Sequence, residues 1–155
     1  MRLHLIAVGQ RLPAWIQQGF SDFNTRLPKE YKLHLREIET AKRHKNSDVD
    51  RLLHEECDQI IKAVPKNTKI IALHVAGKIW TTEDLAGNLQ HWAMAGENIA
   101  FMVGGPDGLS AHCLNRAEQT WSLSKLTFPH GLVRIILIEQ IYRAWTITQG
   151  HPYHR

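Results

Sequence analysis

A chain of 155 residues is the length of one domain, and it buries roughly 68–70% of its unfolded surface without help from a disulfide or a metal. Hydrophobic residues at 43% and charged residues at 22% exclude a disordered, collagen-like or coiled-coil protein. With 19 Lys and Arg against 15 Asp and Glu, the formal charge is +4, a mild lean toward polyanionic partners such as nucleic acid. No apolar run approaches the ~20 residues of a membrane span, and the N-terminal segment lacks the long apolar core of a signal peptide. Cys57 and Cys113 are far apart in sequence and fit no zinc spacing, which suits a reducing cytoplasm.

Arg2 to Val8 alternates Leu3, Leu5 and Ala7 with Arg2 and His4 and runs into Gly9, the pattern of a strand entering a turn. Leu12, Ile16, Phe20, Phe23 and Leu27 then recur at helical steps, with Pro13 near the start and Pro28 ending the run. Tyr31, Leu33 and Leu35 predict a second strand that finishes in the acidic stretch Glu37 to Glu39. Thr40 to Asn46 is a short basic loop, more often a solvated surface than a binding patch. Ser47 with Asp50 has the spacing of a capping box, opening a helix whose stripe is Val49, Leu53, Cys57, Ile60 and Val64. Lys69 to Val75 is a continuous apolar strand suited to burial on both faces, and Gly77 is expected to break it.

Thr81 with Asp84 caps a third helix, which buries Leu85, Leu89 and Trp92 and stops at Gly96. Ile99 to Val103 is another buried strand, followed by the glycine-rich stretch Gly104 to Gly108. Ser110 starts a short helix and Trp121 to Leu123 makes a short strand. Leu132 to Ile147 is the last helix, because so long a run without Gly or Pro exceeds an ordinary strand. It is apolar nearly all round, so it must be widely buried, and a dimer interface is a natural place for it. Strands alternating with helices predict an α/β fold over residues 1–155, a mostly parallel sheet with helices on both faces.

Ligands in such sheets bind beyond the carboxyl ends of the strands. Three of those ends are unusual: Leu73 to Gly77, Gly104 to Gly108, and Ser122 to Phe128. Paired glycines let a ligand approach the backbone closely, but GGPDG also suits a plain tight turn. The apolar, hydroxyl-bearing segment Leu123 to Phe128 suits either an adenine slot or an ordinary strand-to-helix connection. Neither the phosphate-loop nor the dinucleotide fingerprint is present, and no metal-ligand spacing occurs. Within the last helix Glu139 and Arg143 are spaced for an ion pair, while Arg134 and Arg143 are weaker candidates for substrate contact. The tail His151 to Arg155 combines groups that bind phosphate, stack on a base and move a proton, although a frayed basic end is the commoner explanation.

Taken in order, GGPDGLS, then WSLSKLTFPHGLVRIILIEQIYRAWTI, then HPYHR resemble the ribosomal RNA large subunit methyltransferase H family. The opening RLHLIAVGQ with LPAWIQQGF, and the central KRHKN, resemble it too, so the likeness covers essentially the whole chain. Gly131 stands where relatives often carry proline, and Asp107 replaces the common glutamate of the glycine loop. The resemblance implies an α/β-knot methyltransferase whose C-terminal segment forms a deep trefoil knot. It implies S-adenosylmethionine against Leu73, Gly104, Gly105, Leu123, Ser124, Lys125, Leu126, Thr127 and Phe128, and no metal. It also implies a cytoplasmic homodimer that methylates N3 of a pseudouridine in a 23S rRNA stem-loop of assembled ribosomes. Tyr153, His154 and Arg155 are the expected catalytic tail, reaching toward the cofactor of the other subunit. Two rivals predict otherwise: a non-catalytic RNA-binding relative that binds no cofactor, and a flavodoxin-like protein that binds a phosphate-bearing ligand.

Overall fold

In the computed structural model, which describes residues 1–155, strand β1 (Leu3–Val8) is buried on both sides. Leu3, Leu5 and Ala7 join one apolar cluster, Ile6 and Val8 the other. Such a strand must lie inside a sheet, and β1 does, between β2 (Leu33–Ile38) and β4 (Asn98–Val103). Beyond β4 come β3 (Thr68–Ile79) and then β5 (Gln119–Ser122), giving the order β2-β1-β4-β3-β5 with every pair parallel. Register is pinned by apolar pairs such as Leu3 with Leu33 and Ile99, so a one-residue slip would turn core side chains into the wrong layer.

The odd-numbered face of β1 packs with Phe101 and Ile71 against α1 (Ala14–Arg26), α3 (Thr82–Ala95) and α5 (His130–Thr148). The opposite face packs Ile6, Ala100 and Met102 against Cys57 and Ile60 of α2 (Val49–Ala63) and Cys113 of α4 (Ala111–Leu114). Helices therefore cover both faces, as the strand–helix alternation predicts. Helix α5 lies between α1 and α3, with Leu137, Ile138 and Ile141 fully buried. Its apolar character all round is thus largely explained inside one chain, since each such side chain contributes ~1.5–3 kcal/mol when removed from water.

Several local expectations hold. Thr81 and Asp84 form a reciprocal capping box, Gly96 ends α3 in the left-handed conformation, and the Ser110 hydroxyl accepts from Cys113 N to open α4. Three do not. The Ser47 hydroxyl accepts from His44 N within the preceding turn, and Asp48 caps α2 instead. The α2 stripe is Leu52, Glu56, Cys57 and Ile60, leaving Val49 exposed, because the helix is rotated so that Glu56 meets an arginine. Gly77 does not break β3: the strand continues to Ile79, and Gly77 is where the backbone of β5 crosses it closely. β5 itself begins earlier than predicted, at Gln119, and stops at Ser122.

Candidate active site

Each of the three unusual strand ends contributes to one cavity of about 230 Å³. From β3 come Leu73, His74 and Val75, just where pairing with β5 slips: Leu73 and Lys78 both align with Trp121. The residues between bulge out of the ladder, and Ala76 N donates to His74 Nδ1 to hold the excursion. After β4, Gly108 N donates to Gly105 O, closing a tight turn. A Cβ on Gly104 would lie 2.4 Å from the carbonyl carbon of Gly108, so the turn tolerates only glycine there. The glycine segment is therefore both a turn and a cavity wall.

That turn is braced from outside. Asp107 accepts from Arg43 Nε at 2.7 Å, and Arg43 Nη1 reaches Glu56 at 2.8 Å and the carbonyl of Ala41 at 2.9 Å. Burial favours the neutral arginine, but the hydrogen bonds and charges of Glu56 and Asp107 outweigh it and hold the guanidinium above its usual range. Lys42, His44 and Lys45 of the basic loop remain exposed, whereas Arg43 is committed to this brace.

The third wall follows β5. The buried Ser122 hydroxyl donates to Ser124 O, and Leu126 N donates to Ser124 Oγ, so two serines shape the loop from within. Leu123, Ser124, Leu126, Thr127 and Phe128 face the cavity together with Gly104, Gly105 and Leu73. Lys125, also expected there, is exposed and lies outside the lining. Sequence reasoning missed Val103, Leu109, His130 and Val133. Val103 and Leu109 bracket the glycine stretch and were legible by continuity, but His130 and Val133 enter only because the first turn of α5 packs on these loops. The walls are mostly apolar with a few hydroxyl and imidazole groups, the usual build of a small-molecule site. A wider depression of about 660 Å³ between β2 and α2 is lined by Arg36, Glu37, Lys42, Glu55 and other charged groups, and receives none of the three loops.

The tail is not frayed. Residues Pro152–His154 form a short 3-10 turn in which His151 Nδ1 accepts from Tyr153 N. Tyr153 packs edge-on against Tyr142 at 4.7 Å and donates its hydroxyl to Glu139. Burial and the Glu139 charge raise its phenol above the ordinary range, keeping it a donor. Arg143 bonds Glu139 at 2.6 Å and lies over the Tyr153 ring, so the expected ion pair is present. Arg134 is 3% exposed and holds Glu37 at 2.6 Å and the Gly9 carbonyl at 2.8 Å; it ties β1, β2 and α5 together and is not free for substrate.

Cavity and tail sit on opposite halves of α5. His130 and Val133 mark one and Tyr142 the other, separated by about 14–18 Å at 1.5 Å per residue. Within one chain, Tyr153, His154 and Arg155 therefore do not line the cavity.

Residues 1–154 match the family model described as "Predicted SPOUT methyltransferase". The chain is 50% identical over its full length to the ribosomal RNA large subunit methyltransferase H of Marinomonas sp. (strain MWYL1), and the match covers all of that protein. It is likewise 50% identical to the protein of that name from Methylococcus capsulatus, again over the full length of both. Among solved structures, a methyltransferase from Legionella pneumophila with bound cofactor SAM is similar in fold, with TM-score 0.54 and 12% identity. That match covers 93% of this chain and 66% of the other. A Bordetella pertussis methyltransferase has TM-score 0.57 at 12% identity, covering 92% of this chain and 95% of its own.

Proposed function

The chain belongs to the ribosomal RNA large subunit methyltransferase H family, and from that membership we propose that it methylates N3 of a pseudouridine in a 23S rRNA stem-loop of assembled ribosomes, using S-adenosylmethionine. The observation that carries the reading is the convergence of three strand-end loops on one apolar cavity with a glycine-only turn in its wall. An adenosine moiety fits such a place: apolar walls for the ring and backbone groups of the glycine turn for its edge. Leu73, Gly104, Gly105, Leu123, Ser124, Leu126, Thr127 and Phe128 would hold it, with exposed Lys125 at the rim. Bound S-adenosylmethionine supplies a methyl group activated by its sulfonium.

What remains for the protein is positioning and the fate of one proton. In this reading Tyr153 stacks on the base, Arg155 holds backbone or base carbonyl, and His154 orients the base or takes its proton. The distance from tail to cavity along α5 favours a homodimer in which each tail serves the partner's cavity. The C-terminal trefoil knot belongs to the same proposal, supported by the fold likeness and by the loops after β4 and β5 sharing one cavity. No helix is long and apolar enough to cross a membrane, and a cytoplasmic site of action follows from the ribosomal substrate.

The test is transfer of labelled methyl from S-adenosylmethionine to purified ribosomes, with and without pseudouridine in the target loop. Incorporation requiring both is the expected result. Cofactor binding without incorporation would redirect the enzyme to another RNA, and absence of cofactor binding would favour a non-catalytic RNA-binding protein.

A further inference from the structure

We propose that His130 is a catalytic residue that accepts the N3 proton of the target base, from the wall of the methyl donor's own cavity. The inference rests on the function proposed above and takes the proton step from His154, leaving that residue to orient the base.

The chemistry sets where the acceptor must stand. An imide nitrogen in a planar ring has one position for a third substituent, in the ring plane. The departing proton and the arriving methyl carbon compete for that position, so the proton must be drawn off on the donor's side of the base. A side chain of the donor cavity is placed for this, whereas a tail that stacks on the base or holds its carbonyl approaches from elsewhere.

Among the residues lining the cavity, only His74 and His130 carry a side chain that is a base near neutral pH. The His74 Nδ1 already accepts from Ala76 N, holding the bulge of β3. His130 is the first residue of α5, fixed on a rigid element, and its ring lies against Gly9, where an added Cβ would meet Nε2 at 3.2 Å. Burial, then the Arg134 charge one turn along the helix, depress its basicity, and no hydrogen bond compensates. The charged or titratable groups around it are Arg134 on its own helix, Glu37 of β2 as the partner of Arg134, and His74 across the cavity. An imidazole neutral at physiological pH is the form that can receive a proton.

The step balances. A ring nitrogen of His130 takes the N3 proton, leaving the N–H bonding pair on N3 as an in-plane lone pair, and that pair then forms the new bond to the methyl carbon. The carbon–sulfur bond breaks with its electron pair left on sulfur, giving S-adenosylhomocysteine. The imidazolium then loses its proton to water at the mouth of the cavity, a release favoured by the neighbouring guanidinium.

His130→Gln and His130→Ala test this, with S-adenosylhomocysteine affinity by calorimetry as a readout independent of turnover. Both variants are expected to bind S-adenosylhomocysteine within about threefold of wild type while kcat on ribosomes falls by about a hundredfold or more. Added imidazole should restore part of the rate to His130→Ala and none to His130→Gln, a response that a merely structural role would not give. Rates within about threefold of wild type in both variants, or a rate loss that only tracks lost cofactor affinity, would overturn the assignment. If the wild-type protein itself transfers nothing to pseudouridine-containing ribosomes, the proposed function falls and this role falls with it. If wild type is active and the variants are too, only the His130 assignment fails.

Discussion

Glu56 is 3% exposed, and its carboxylate accepts from Arg43 Nη1 and from Ala41 N. Because Arg43 also reaches Asp107, this one buried carboxylate supports the glycine turn that walls the cavity. Glu56→Ala is expected to destabilise the protein by about 3 kcal/mol, as removing one partner of a buried pair does. It should also weaken S-adenosylmethionine binding, and denaturant unfolding with calorimetric titration measures both. Nothing in the sequence marks Glu56: by residue type it belongs on the solvated side of α2, and only the approach of Arg43 turns it inward. His4 and His130 carry a second residue-scale consequence. Both sit below the usual value of 6.5, His4 through burial and then the charges of His34 and Arg2, His130 through burial and then Arg134. The unfolded chain therefore binds more protons than the folded one in the window just below 6.5, so stability rises with pH there and is lost as pH falls. Urea midpoints should drop between about pH 7 and about pH 5.5, and His4→Gln should flatten that slope.

Among the elements, β3 shows most clearly why backbone context overrides a local signal. Glycine usually weakens a strand, yet Gly77 lies inside β3 because a Cβ there would sit 2.8 Å from the Thr120 and Trp121 backbone of β5. The close crossing lets the ladder resume after the excursion at His74, which in turn opens the cavity. Gly77→Ala is expected to cost roughly 1–3 kcal/mol by overpacking, while Gly104→Ala, blocked by the Gly108 backbone, should abolish cofactor binding at a similar cost in stability. Thermal melts with and without S-adenosylhomocysteine distinguish them, since only the second variant should lose the ligand-induced shift. Helix α5 makes a related point. Its length and apolar content were plain in the chain, but its dual role was not: the first turn closes the cavity and the second half seats the tail.

At the scale of the whole molecule, the separation of cavity and tail along α5 makes the proposed site composite. His154→Ala with Arg155→Ala should abolish transfer and leave S-adenosylmethionine binding nearly unchanged; full activity would remove the tail from the mechanism. Mixing that double variant with Gly104→Ala should then recover activity, because a heterodimer contains one cavity and one tail that are both intact. An equal statistical mixture of a two-fold dimer is expected to reach about a quarter of the wild-type rate. A mixture as inactive as its components would place tail and cavity in the same subunit.

Most of the fold was legible in the chain because its determinants are local. The continuous apolar runs of β1, β3 and β4 demand burial on both faces, and the caps at Thr81, Gly96 and Ser110 satisfy helix-end groups within a few residues. The three strand ends and the order of motifs after Gly104 likewise pointed to the cavity and to the family. What only the tertiary structure decided depends on contacts between distant residues. The Arg43–Glu56–Asp107 brace, the burial of Arg134 against Gly9 and Glu37, the close crossing at Gly77 and the seat of His130 in the cavity wall join segments from across the chain. A side chain's charge or size is written in the sequence, but the partner that gives it a role is chosen by packing.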